Sequence, residues 1–166
     1  MVRLRTNHLV VLLAALAFAA DQGTKALILD RFADDPAIVA ITPFLNLTLS
    51  FNPGVSFGLL RETLADHPDA VALAKAALGA GLLAWAILTR RSLERAGLAL
   101  LAGGAFGNAL DRWRRGAVTD FIDLHAGGLH WPTFNVADIA IVGGCALMLV
   151  DVLFGSSRHA PAAAGR

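Results

Sequence analysis

Four stretches of the chain are apolar for long enough to be read as helices across a bilayer. A crossing takes about 20 predominantly apolar residues for a hydrocarbon layer of about 30 Å. The windows run over 9–29, 70–88, 93–110 and 136–154. Asp21, Gln22 and Lys25 interrupt the first, and Lys75 lies near the start of the second. The fourth holds Asp138 near its start and Asp151 near its end. Between the first two windows the period changes. Leu45, Leu47, Leu49 and Phe51 alternate with Asn46, Thr48 and Ser50, the pattern of a half-buried strand. Val118–Leu124 and Trp131–Phe134 read as further strand pieces, and 61–67, between Leu60 and Pro68, as a short surface helix. The small, polar, alanine-rich segment 156–166 reads as a disordered tail. Together these elements predict a mainly α, integral membrane protein with a single domain over 1–166. It has four transmembrane helices and a small extracytoplasmic β-containing platform.

Composition points the same way. The 166 residues are 56% hydrophobic before the 16 glycines are added, against about 45–50% with glycine included in soluble domains. Only 16% are charged, against about 25%. A soluble domain of this length is mostly surface and has nowhere to hide so much apolar area. The 14 basic and 13 acidic residues nearly cancel, so no nucleic-acid footprint is expected. Cys145 stands alone, which removes an intrachain disulfide framework and any multi-cysteine zinc site. In its apolar run it reads as a small core residue.

Basic residues set the expected orientation, because Lys and Arg accumulate on cytoplasmic flanks. Arg3 and Arg5, then Arg90, Arg91 and Arg95, then Arg158 and Arg166 fall on one side if there are four crossings. Both termini are therefore expected in the cytoplasm. The first long loop carries Asp30, Asp34, Asp35, Glu62, Asp66 and Asp69 against Arg31 and Arg61, and is expected outside. The second outer loop is discordant, with Arg112, Arg114 and Arg115 against Asp111, Asp120 and Asp123. Ala17-Phe18-Ala19 after an apolar run has the look of a signal-peptide cleavage site. The apolar character resumes at Ala26-Leu27-Ile28-Leu29, which favours a retained anchor.

Polar residues at the edges of membrane spans are costly and need a reason. Here they fall in five blocks, all at the outer ends of spans or in outer loops. The blocks are Asp21-Gln22-Gly23-Thr24-Lys25, Asn52-Pro53-Gly54-Val55-Ser56-Phe57-Gly58, Gly107-Asn108-Ala109-Leu110-Asp111-Arg112, Val118-Thr119-Asp120-Phe121-Ile122-Asp123 and Phe134-Asn135-Val136-Ala137-Asp138. In this order and with this topology the chain resembles the lipoprotein signal peptidase (signal peptidase II) family, which are bacterial membrane aspartyl proteases. One departure is Pro53-Gly54-Val55-Ser56, where members commonly carry small residues such as alanine before the phenylalanine.

The resemblance implies that Asp120 and Asp138 form the catalytic pair. It also implies supporting or substrate-binding roles for Asn52, Gly54, Asn108, Asp111, Arg112, Asn135, Asp21 and Lys25. Read from the residues alone, Asp21 and Lys25 are an i,i+4 pair on a helix face, and Asp111 beside Arg112 is an ion pair ending the third helix. Asp138 alone is an acid at a helix N-terminus, and Gly103 with Gly107 marks close helix packing. The implied substrate is a prolipoprotein whose cysteine carries a diacylglyceryl group, cut on the N-terminal side of that cysteine. The implied location is the bacterial cytoplasmic (inner) membrane, with the site at its outer face and membrane lipid around a monomer. No cofactor and no metal are expected.

Three rivals fit less well. Gly54-Val55-Ser56-Phe57-Gly58 matches G-x-S-x-G, with His125 and His130 downstream, but a nucleophile elbow needs an α/β sheet. No H-E-x-x-H occurs to support a metalloprotease. A small proton-coupled membrane transporter using Asp21, Asp111 and Asp138 is the alternative of a different class, but transporter sites lie near the midplane between repeats.

Overall fold

The computed structural model describes residues 2–35, 37–53 and 68–154. Helix α1 covers Val2–Arg31, α2 Pro68–Leu88, α3 Ser92–Arg115 and α4 Val136–Phe154. The strands are β1 (Val39–Thr42), β2 (Leu45–Asn52), β3 (Val118–Ala126) and β4 (Leu129–His130). Gly54, Ser56, the expected surface helix at 61–67 and the tail at 156–166 lie outside the described residues.

Each apolar window falls within a helix, and the helices wear their apolar side chains outward. Leu9, Leu12, Leu16 and Leu27 on α1, Leu73 and Leu78 on α2, and Val142, Leu149 and Leu153 on α4 are all exposed. The buried positions are instead rich in alanine and in polar groups, Asp21, Lys25, Asn108 and Asp111 among them. Helices that are oily outside and polar inside are matched to lipid. Cys145 is exposed as well. It belongs to the lipid-matched face of α4, which apolar character alone does not distinguish from a protein core.

Among the described residues three helical segments are long and apolar enough to cross a membrane: Asn7–Arg31, Asp69–Leu88 and Val136–Phe154. Helix α3 is not among them, because Glu94, Arg95, Asp111, Arg112, Arg114 and Arg115 load both its ends. It is the central helix, in contact with α1, α2 and α4. Two glycines make that position possible. A Cβ at Gly104 would come within 2.5 Å of the Ala137 carbonyl of α4, and one at Gly107 would collide with the Asp21 carboxylate of α1. The spacing of Gly103 and Gly107 is thus close packing, as read, and at Gly107 the packed group is itself polar.

The chain leaves α3 through Gly116, whose φ of 72° closes the helix with an N–H bond to the Arg112 carbonyl at 2.9 Å. It enters β3 directly, and in the sheet the strands lie in the order β1, β2, β3, β4, each antiparallel to the next. Leu47 and Leu49 pack with Ile28 of α1, with Phe32 just beyond its end and with Phe121 of β3, so the sheet sits on the end of α1. The alternation in β2 is only half of the expected pattern. Asn46 is buried, because its amide is needed by Asp123 across the sheet, and Phe51 is exposed. Gly127 and Gly128, both at positive φ, form the two-residue turn into β4. Trp131–Phe134 is not a strand. Phe134 forms a single bridge to Ile122, and the Trp131 N–H donates to the Leu124 carbonyl at 2.8 Å.

Candidate active site

The bridge at Phe134 decides the site. Phe121 N and Ile122 N both donate to the Phe134 carbonyl, at 3.0 and 2.9 Å, and Phe134 N donates back to Ile122. The return chain is thereby held against β3, and the next residue, Asn135, lies beside Asp120.

Asn135 then starts α4. Its Oδ1 accepts from the Asp138 N–H at 3.0 Å, and its own N–H donates to Asp138 Oδ2 at 3.3 Å. This is a reciprocal N-terminal cap, with an acid three residues after the capping residue. The same side chain reaches the other carboxylate, since Asn135 Nδ2 donates to Asp120 Oδ1 at 2.6 Å. One fully buried asparagine therefore touches both acids. Asn52 Nδ2 supplies the second donor to Asp120, at 3.1 Å on Oδ2. Asn108 Nδ2 supplies one to Asp138, at 3.0 Å on Oδ1. Burial pushes the Asp120 carboxyl above the usual range, and the nearby Asp138 adds to this. The Asn52 and Asn135 amides and the Lys25 charge pull it back.

A second layer holds the first. Lys25 is 1% exposed and bonded on three sides: Asp21 Oδ2 at 2.9 Å, Asp111 Oδ2 at 3.0 Å and Asn108 Oδ1 at 3.0 Å. The i,i+4 pair is present as read, and it also ties α1 to α3. Asp21 Oδ1 accepts from the Ala137 N–H at 2.9 Å, placing an anion on one of the unpaired donors at the start of α4. Asp111 accepts from the Thr119 N–H at 2.9 Å, fixing the residue before Asp120. Its ion pairs are with Lys25 and with Arg115 at 3.2 Å, a correction to the expected pairing with Arg112. Neighbours in sequence diverge around a helix, whereas i,i+4 residues share a face. Arg112 Nη1 donates to the Asn108 carbonyl at 3.2 Å.

Of the candidate residues, Asp120, Asp138, Asn52, Asn108, Asn135, Asp111, Arg112, Asp21 and Lys25 converge on this one network, and Gly54 lies outside the described residues. Gln22 was not singled out. Its amide donates to Asp21, to the Gly107 carbonyl and to Asp111 at 3.1–3.4 Å. Its place between Asp21 and Lys25 in an apolar window was the available signal.

Asp123 belongs elsewhere. It accepts from Asn46 Nδ2 at 2.9 Å and pairs with His130 Nδ1 at 2.8 Å. The Asn46 hydrogen bond first, then His130, holds its carboxyl below the usual range. His125 stacks on His130. Among the described residues no group of three His, Cys, Asp or Glu side chains is placed to hold a metal ion.

A buried layer of acids and amides at one end of a lipid-matched helix bundle, roofed by a small sheet, defines a membrane protein with a polar site at the bundle's end. The model of the signal peptidase II family matches residues 13–154, and the chain belongs to that family of bacterial membrane proteases. Relatives named lipoprotein signal peptidase include one from Burkholderia mallei (strain SAVP1), 43% identical over 136 residues and 80% of each chain. Another, from Solibacter usitatus (strain Ellin6076), is 39% identical over 143 residues, 84% of this chain and 87% of its own. Two solved structures of bacterial membrane enzymes, obtained by the in meso method at 2.3 and 1.9 Å, have TM-scores of 0.74 and 0.72. They are 25% and 27% identical, and cover 95% and 89% of this chain and 95% and 94% of theirs.

Proposed function

We propose that this protein is an aspartic endopeptidase that removes the signal peptide from diacylglyceryl-modified prolipoproteins, with Asp120 and Asp138 as its catalytic pair. The observation that carries the reading is Asn135, whose side chain and backbone bond both carboxyl groups at once. Two carboxyls held so close share a proton more readily than both ionise. The ionised member takes a proton from water, and the resulting hydroxide attacks the scissile carbonyl carbon. The protonated member donates to the carbonyl oxygen as it gains charge. The tetrahedral intermediate then collapses. The C–N bond breaks, and the proton taken from water goes to the leaving amine of the lipidated cysteine.

The proposed topology has four crossings, with α3 as the fourth despite its charged ends. Its middle, Gly97 to Leu110, carries no charged residue, and it is enclosed by helices that face lipid. The basic flanks then place both termini in the cytoplasm and the acid pair at the outer face of the inner membrane. A cleavage site anchored by its acyl chains meets such a site without leaving the bilayer. Lipid surrounds the monomer and no metal takes part.

A gel-shift assay on a diacylated precursor peptide tests the reading, with the purified wild-type protein in lipid. The expected result is release of the signal peptide from the diacylated precursor. No release, with proton flux across proteoliposomes instead, would favour the transporter.

A further inference from the structure

We propose that the far end of the sheet is a membrane anchor, with Leu124, Leu129 and Trp131 seated in the headgroup layer of the leaflet at that end of the bundle. The inference rests on the membrane reading of the fold and is independent of the catalytic pair.

The register sorts the side chains of the sheet. Cross-strand partners share a face, and successive residues alternate between faces. Leu47 pairs with Ile122 and Leu45 with Leu124. Ala126 pairs with Leu129, and the Trp131 N–H donates to the Leu124 carbonyl at 2.8 Å. Leu45, Leu47, Ile122, Leu124, Leu129 and Trp131 therefore form one apolar face. The opposite face is polar, and its contacts agree with the sorting. Asp123 meets Asn46 there at 2.9 Å and His130 at 2.8 Å, and His125 stacks on His130.

The apolar face is the one turned to the bundle, since Leu47 and Ile122 pack with Ile28 near the end of α1. From Ile122 the same face runs on to Ala126, four residues or about 14 Å at strand spacing, whereas a helix with its side chains reaches about 5–6 Å from its axis. The face thus overhangs α1. Leu124 is 39%, Trp131 69% and Leu129 80% exposed, and among the described residues β4 packs on β3.

Beneath an overhang at the end of a lipid-matched helix lies the lipid surface itself. Leu27, beside Ile28, is exposed and carries the lipid-facing side of α1 up to the sheet. Trp113 is exposed at the same end of the bundle, on α3, and tryptophan gathers where a membrane meets water. No charged residue lies on the apolar face beyond Ile122, and the acid and imidazoles are on the face turned away. An element that is apolar below and polar above is matched to the headgroup boundary. The anchor also bears on the site. Trp131 precedes Phe134 by three residues, and the bridge from Phe134 to Ile122 sets Asn135 beside Asp120.

The test is tryptophan fluorescence of the full chain carrying Trp85→Phe and Trp113→Phe, so that Trp131 alone reports, in phosphatidylcholine vesicles without substrate. Lipid brominated near the headgroup should quench it more than lipid brominated near the chain ends, and aqueous iodide should quench it little. Leu129→Asp in this background should reverse the order, making iodide the stronger quencher, with the melting temperature unchanged because Leu129 is so exposed. Strong iodide quenching and no response to brominated lipid, with Leu129 in place, would put the sheet end in water and overturn the inference. Little quenching by any agent would mean that protein covers it, and stronger quenching by deep bromine would place it in the hydrocarbon; either overturns the inference. An unchanged response in folded Leu129→Asp would remove Leu129 from the anchor. If that variant fails to fold, the quenching of Trp131 in the unaltered hairpin decides alone. Cleavage is assayed on the same protein. A quenched Trp131 in an inactive protein leaves the anchor standing and the peptidase reading in trouble, and the reverse result separates the two the other way.

Discussion

Replacing Asn135 separates its two bonds. Serine caps a helix as well as asparagine but is too short to reach Asp120, whereas alanine does neither, at a cost of about 0.5–2 kcal/mol for the lost cap. Asn135→Ser should therefore lose most turnover while keeping most of its thermal stability, and Asn135→Ala should lose both, as read by peptide cleavage and melting in micelles. Equal activity in the two variants, near that of wild type, would remove Asn135 from the site. The Asp120 carboxyl, raised by burial, makes a pH prediction. Unfolded, it ionises near pH 3.9; folded, it holds its proton to higher pH. Its contribution to stability is thus present at low pH and lost as pH rises through the folded value. Asp120→Asn escapes that loss, so its melting temperature relative to wild type should climb as pH rises from 4 toward neutrality. A flat difference would contradict the raised value. At this scale the motifs identified the acids, and pairing was less legible. Asn46 looked like the polar side of an alternating strand, and its partner Asp123 lies 77 positions away.

Helix α3 is read from sequence as one more apolar window, and it is in fact the axis of the bundle. Its glycines were the clue, since only a helix approached on several sides needs them at Gly97, Gly103, Gly104 and Gly107. Gly107→Ala should push Asp21 from its place on the Ala137 N–H, costing roughly 1–3 kcal/mol as overpacking and lowering turnover. Gly81→Ala on α2 is the control, since nothing lies within 4 Å of its Cβ. It should be neutral or stabilising by up to about 1 kcal/mol. Equal melting temperatures for the two variants would contradict the packing account. The strands were legible where alternation was long. Strand β1 was missed because four residues, Val39–Thr42, carry too little pattern. The β3–β4 turn announces itself in Gly127-Gly128, a pair that both flanking strands require.

The whole molecule turns much of its apolar helix surface outward and buries Asp21, Lys25, Asp111, Arg112 and Asp120, so composition carried most of the fold class. What composition leaves open is how often the chain crosses, because some of the charges that make α3 less apolar than the other helices, Asp111, Arg112 and Arg115, belong to the site network. Reporter fusions resolve this. Fusions after Arg91 and after His159 should read cytoplasmic, and a fusion near Asp34 external. An external reading at His159 would mean an odd number of crossings. The central claim is that Asp120 and Asp138 act as one catalytic unit, and the direct measurement is kcat on a diacylated precursor for Asp120→Asn, Asp138→Asn and the double variant. Asparagine keeps the volume but neither accepts the proton of water nor supplies one. Each single variant should lose at least about 10²–10⁴-fold, and the double should be scarcely worse, because members of a unit are not additive. Turnover near wild type in either single variant, with the protein still folded in the membrane, would contradict the account.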